Sequence, residues 1–235
     1  MIKSMDTIFQ NSTVTIPDIP RIGAKEAFNE FQKGLPLMVW DSATLEGYSF
    51  TYPEVQTILS GRSVGGYRIS DIEEVAGIGK GWFRAFDAIE NKENITKNLI
   101  CDINRELSGS FSIEPGVFRT DSSVNVGGTV RTPEVTYSAP QQGLDELWET
   151  FQFGDPLEQA LLRFPFMALA QFFFDGNKRT SMITLNIDLV QMGYSPITVP
   201  GTKTHEWNEA LIELFMRLDA QPIIDLLGES AIVFR

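Results

Sequence analysis

Apolar residues recur at helical spacing along most of the chain, and the breaks between them divide it into short helices. Ala27, Phe28 and Phe31 mark a helix over 24–33, which Gly34 and Pro36 are expected to end. A second turn of helix is predicted over 37–47, with Asp41 or Ser42 as its cap and Gly47 at its end. Thr51, Pro53 and Glu54 have the spacing of a capping box and open a helix that runs to about Ser60. Residues 70–91 place Ile72, Val75, Ile78, Trp82, Phe86 and Ile89 on one stripe. Further helices are expected over 95–107, 142–150, 156–174, 178–192, 205–218 and 222–227.

Two stretches depart from this pattern. Residues 1–22 carry Pro17 and Pro20 among small polar residues and read as an extended arm, lying on the body or loose, ahead of one helical domain over 23–235. Residues 109–136 are rich in Ser, Val, Thr and Gly. Val124 and Val126 alternate before a Gly127-Gly128 turn and Val130 follows it, which predicts a hairpin. The fold class is therefore mainly α, a helical bundle with a small β-hairpin.

The glycines at 77, 79 and 81 invite a phosphate-loop reading. It fails, because the first glycine of such a loop falls on Glu74 and its hydroxyl position on Gly81. Close helix packing is the remaining explanation.

Composition narrows the function. A chain of 235 residues with 43% apolar content is long enough to bury a core without disulfides or a structural metal. One cysteine, Cys101, forms no internal bridge, and the opening MIKSMDTIFQNS has no apolar signal segment, so a reducing cytoplasm is the expected address. The net charge of −12 opposes a phosphate backbone and argues against nucleic acid. A single histidine, His205, excludes a histidine-rich zinc site. The longest apolar run, 161–174, is interrupted by Arg163, Pro165 and Gln171 and is too short to cross a membrane, which takes roughly 20 residues.

Chemistry concentrates in residues 170–180, where an apolar helix runs through Asp175-Gly176-Asn177-Lys178-Arg179-Thr180 into another helix. The first N–H groups of a helix lack internal partners and carry the positive end of its dipole, so such a junction favours an anion. Gly176 allows close backbone approach, Asp175 is a hard ligand suited to Mg²⁺, and Lys178 and Arg179 add positive charge. The same residues also describe a plain connection, capped by Asp175 or Asn177, with the basic pair in solvent.

The segment resembles the signature of the Fic/Doc (Fido) family, H-x-F-x-[DE]-[GA]-N-[GK]-R, through Phe173, Asp175, Gly176, Asn177, Lys178 and Arg179. Residues 115–119, followed by 124–128 and by Thr132-Pro133, are similar to the family's approach to its target-docking hairpin, a flap over about 119–136. Ser42-Ala43-Thr44-Leu45-Glu46-Gly47 resembles the family's inhibitory motif, [ST]-x-x-x-E-[GN]. The likeness covers about 40–225 and implies a Fic-type helical bundle that takes ATP and Mg²⁺ for transfer of AMP, or in Doc-like members phosphate, to a protein hydroxyl. It further implies nucleotide binding by Gly176, Asn177, Lys178, Arg179 and Thr180, with Mg²⁺ on Asp175. Catalytic roles would fall to Asp175, Asn177, Arg179 and position 171, an inhibitory role to Ser42, Glu46 and Gly47. A protein target would dock on the flap at Val124, Val126 and Val130. Relatives often pair, so a homodimer is a further expectation.

Two departures bear on mechanism. Gln171 stands where the family has the histidine that takes the proton of the target hydroxyl. An amide has no useful pKa near neutrality, so it can orient a hydroxyl but cannot accept its proton, and such assistance is typically worth about 10²–10⁴ in rate. Met182 stands where many AMP-transferring relatives carry an arginine that grips the γ-phosphate and pairs with the inhibitory glutamate, so Glu46 is expected to meet Arg179 instead or to be an exposed helix-end acid. The reading is a catalytically impaired or non-catalytic relative that binds nucleotide or a protein segment. The alternative is an active AMP-transferase or Doc-like phosphotransferase working without the usual base. His205 and Cys101 are read as a helix-start or surface histidine and a small core residue; Arg119 ends the segment that resembles the approach to the hairpin, and a structural ion pair explains it equally well.

Overall fold

A computed structural model of the chain describes residues 14–109, 112–120, 140, 143–151 and 154–231. Nine α-helices lie among the described residues: α1 (Ala24–Leu45), α2 (Tyr52–Leu59), α3 (Ile69–Glu90), α4 (Lys97–Ser108), α5 (Leu144–Thr150), α6 (Pro156–Ala170), α7 (Asn177–Met192), α8 (Thr204–Arg217) and α9 (Gln221–Gly228). They show no strand ladder, only the isolated bridges Arg21 to Tyr194 and Ile197 to Ala231. The predicted hairpin, with Val124, Val126 and Val130, lies outside the described residues.

Helix α7 occupies the centre, packed by α1, α3, α4 and α6. Its residues from Asn177 to Val190 are buried almost without interruption, including Thr180, Ser181, Thr184 and Asn186. A helix buried all round shows no amphipathic stripe. Its hydroxyls are satisfied along the helix, Ser181 donating to the Asn177 carbonyl at 2.6 Å and Thr184 to that of Thr180 at 2.7 Å.

The first two predicted helices are one. Pro36 lies inside α1, where it removes a backbone donor but leaves a continuous face of Phe31, Leu35, Met38 and Val39 in the core. The burial of four large side chains, each worth about 1.5–3 kcal/mol, outweighs one lost hydrogen bond. Glu54 accepts from the Thr51 backbone N–H at 2.8 Å, the reach-back half of the predicted capping box. The helix expected over 156–174 stops at Ala170, because Gln171 takes a left-handed conformation (φ 48°, ψ 56°) and opens the loop.

The glycines of α3 do serve close packing. A Cβ on Gly77 would stand 2.7 Å from the Leu107 carbonyl oxygen, and one on Gly81 2.9 Å from the Leu107 Cβ, so α4 lies directly against them. Trp82 on the same face is fully buried and donates its indole N–H to the Ser42 hydroxyl at 3.3 Å, tying α3 to the last turn of α1. Residues 14–23 form no helix and pack on the body, with Thr15 N–H on the Gln221 side chain at 2.7 Å and Ile19 buried. No described helix is long and apolar enough to cross a membrane.

Candidate functional site: the loop between α6 and α7

The loop of residues 171–176 is held from both ends by side chains. Asn177, the first residue of α7, turns back: its Oδ1 accepts the Phe173 N–H at 2.9 Å, and its Nδ2 donates to the Phe173 carbonyl at 2.7 Å and to the Gln171 Oε1 at 3.0 Å. Gln171 closes the other side by donating to the Ala168 carbonyl at 2.7 Å. Phe172 and Phe173 are fully buried beneath, Phe172 stacked on Phe118 with centroids 4.5 Å apart.

Two further residues hold the loop against the body. Arg119, 2% exposed, donates to the backbone carbonyl of Gln171, to that of Pro140 at 2.9 Å and to that of Ala170 at 3.2 Å. Its own N–H donates to the Phe172 carbonyl at 2.8 Å. These contacts clamp the C-terminal carbonyls of α6, where a cation is favoured by the helix dipole. Asn104, wholly buried on α4, donates to the Asp175 carbonyl at 2.9 Å and to the Thr180 hydroxyl at 3.2 Å, and accepts the Gly116 N–H at 2.9 Å. Sequence reasoning missed Asn104, although a polar residue among Ile100, Ile103 and Leu107 on the buried face was a usable signal.

Gly176 caps α7 in a left-handed conformation (φ 77°, ψ 10°). A Cβ there would meet Leu107 Cδ1 at 2.6 Å and Ser108 Oγ at 2.9 Å, so the approach that requires glycine is that of α4. Neither Asp175 nor Asn177 caps the helix. Gly176→Ala should lower stability by about 2 kcal/mol, from the left-handed backbone and the crowded Leu107 together. A urea midpoint shows it; an unchanged midpoint contradicts the packing described.

The charged residues form one cluster rather than a solvated pair. Arg179 is 8% exposed and its Nη2 lies 3.0 Å from Asp175 Oδ2, its Nη1 3.3 Å from Glu74 Oε2 and its Nε 4.0 Å from Glu46 Oε1. Lys178 Nζ lies 3.5 Å from the same Glu46 oxygen. Glu46, at the C-terminal end of α1, therefore meets both cations. Burial works to raise the Glu46 pKa, but Lys178 and Arg179 hold it below the usual carboxylate range. Glu74 is raised instead, by burial and by the neighbouring charges of Asp175 and Glu46. Burial, followed by the charge of Glu74, pushes the Tyr48 hydroxyl up to about 12. The Arg179 guanidinium stays charged, burial being outweighed by Glu46, Asp175 and Glu74.

The donor types suit a magnesium nucleotide. The Asp175 side chain is half exposed and supplies one hard oxygen, the mode in which Mg²⁺ is held by a carboxylate together with phosphates. Arg179 Nε is buried without a hydrogen-bond partner at 4.0 Å from Glu46, a donor ready for an acceptor. Among the described residues no group of three or more His, Cys, Asp or Glu has metal-binding geometry.

Other candidates lie apart from the cluster. His205 is the second residue of α8, exposed and 3.2 Å from Glu209. Cys101 borders a cavity of about 680 Å³ lined also by Lys97, Phe118, Arg119 and Asp145; burial pushes its thiol up, away from nucleophilic reactivity. Met182 is buried, and the Thr180 hydroxyl, also buried, accepts from Asn104.

No family model matches the chain. Curated relatives do: the protein adenylyltransferase Fic of Aedes aegypti is 30% identical over 204 residues, 81% of this chain and 39% of that protein. That of Drosophila willistoni is 27% identical over 196 residues, again 81% and 39%. The chain spans about two-fifths of the length of these relatives. Among solved structures, a Fic-domain signalling protein from Bacteroides thetaiotaomicron superposes with a TM-score of 0.71 at 19% identity, covering 97% of this chain and 91% of that one. Fic-1 of C. elegans (residues 134–508) gives 0.70 at 18% identity, covering 97% and 69%. The mainly helical bundle thus has the fold of these Fic-domain structures. Curated relatives and fold together support a Fic/Fido family protein.

Proposed function

We propose that the chain is a catalytically impaired relative of the protein AMP-transferases, binding a magnesium nucleotide at the start of α7 without transferring it efficiently. One observation carries this reading. The Gln171 amide, at the position of the family's base, spends a donor on Ala168 and an acceptor on Asn177, and the residue is 7% exposed. It cannot accept a proton, and its hydrogen bonds keep the loop closed rather than presenting an acceptor to a hydroxyl. Asp175 would hold the metal, and Lys178, Arg179 and the first amides of α7 the phosphates; the group so bound supplies the transferable AMP in active relatives. The protein hydroxyl or segment meeting this site would approach over the segment that carries Val124, Val126 and Val130.

The proposal is tested by titrating ATP with Mg²⁺ into the protein and into Arg179→Gln. Weak saturable binding, weakened severalfold in the variant while its melting curve remains cooperative, is the expected result. Absence of binding to the folded wild type at millimolar nucleotide contradicts it.

A further inference from the structure

Three carboxylates face two cations in the α7 cluster, and the pairing among them is uneven. Glu46 lies nearer to Lys178, at 3.5 Å, than to Arg179, at 4.0 Å. The acid from outside the loop that engages the guanidinium at hydrogen-bonding range is Glu74, on the first turns of α3 (Nη1 to Oε2 3.3 Å). With Asp175 on the other terminal nitrogen at 3.0 Å, both Nη groups are committed.

Resting on the nucleotide reading above, we propose that Glu74 is a second latch on the phosphate site. Glu46 withholds Lys178 and Glu74 withholds Arg179, so full access for a polyphosphate requires both carboxylates to withdraw. The physical reason is competition. Arg179 is 8% exposed, so its bonds are desolvated and stronger than on a surface, and an incoming phosphate must displace a carboxylate rather than water. The excess carboxylate also repels the incoming anion, a penalty that falls when either acid is neutralised. Glu74 acts through Arg179 and is a positioning residue. It lies on a helix separate from the inhibitory motif, so the two latches can be released by movements of different elements. Helix α3 is joined to α1 through Trp82 and Ser42, which gives the two acids a common anchor.

The test uses inorganic tripolyphosphate with Mg²⁺ as probe, titrated calorimetrically into the full chain as wild type, Glu46→Gln, Glu74→Gln and both together. Glu74→Gln should tighten binding by roughly tenfold, and the double variant more than either single one. In the Arg179→Gln background the gain from Glu74→Gln should vanish while that from Glu46→Gln persists through Lys178. A second readout needs no ligand: rotation about the Arg179 Nε–Cζ bond, followed by side-chain ¹⁵N NMR, should quicken in Glu74→Gln and change less in Glu46→Gln. Equal motion in wild type and Glu74→Gln, or a full gain in binding from Glu46→Gln alone, overturns the second latch and leaves the nucleotide reading standing. Failure of every folded variant to bind the probe overturns both.

Discussion

Gln171→His should raise AMP transfer by about 10²–10⁴-fold, the range that general-base assistance contributes, equivalent to roughly 3–5 kcal/mol of barrier. The readout is incorporation of α-labelled ATP into the protein or a lysate substrate. An imidazole at 171 can donate through one nitrogen to the Ala168 carbonyl that the amide now uses, leaving the other as an acceptor. The loop loses its bond from Asn177 to residue 171 but keeps both bonds between Asn177 and Phe173 and the Arg119 clamp on the backbone. The gain should be larger where Glu46 and Glu74 are also Gln, because phosphoryl-type chemistry depends on positioned charge as well as on the base. Unchanged transfer in a variant that still binds ATP indicates that the missing base is not what limits the site.

Asp41→Asn should stabilise the protein by up to about 3 kcal/mol above neutral pH and hardly at all near pH 4. Asp41 is 2% exposed, accepts the Gly201 N–H at 2.9 Å and the Thr198 hydroxyl at 3.1 Å, and fixes the last turns of α1, which carry Glu46, against residues 198–201. Burial, only partly offset by these bonds, raises its pKa from 3.8 to about 6. A folded-state pKa above the unfolded one favours the protonated folded form. The stabilisation it gives is complete below about pH 4 and lost as the pH rises through 6. Asparagine keeps an acceptor for Gly201, can donate to Thr198 and carries no charge. Urea midpoints at pH 4.5 and pH 8 should differ by more in the wild type than in the variant; parallel pH dependence contradicts the assignment.

Much of the fold was legible because helical periodicity is a local property. The capping-box glutamate, the α3 stripe and the start of α7 needed only neighbouring residues to be read. Pro36 misled because the local cost of proline is visible in sequence, whereas the core face that outweighs it is assembled from distant helices. The loop was legible through its polar run, but not the reasons for it: Gly176 answers to Leu107, and Arg119 to carbonyls across the loop. Glu74 was considered only as a residue that breaks a phosphate-loop pattern. Its pairing with Arg179 spans 105 positions and left no spacing to recognise.

The most direct test of the account is incubation of the wild type, with Mg²⁺ and lysate, with ATP labelled separately in its α- and γ-phosphates. The account predicts that neither label reaches protein above the level of an Asp175→Ala control. Transfer by the wild type that disappears in that control would show that the loop, with Gln171 in place, is a working catalyst.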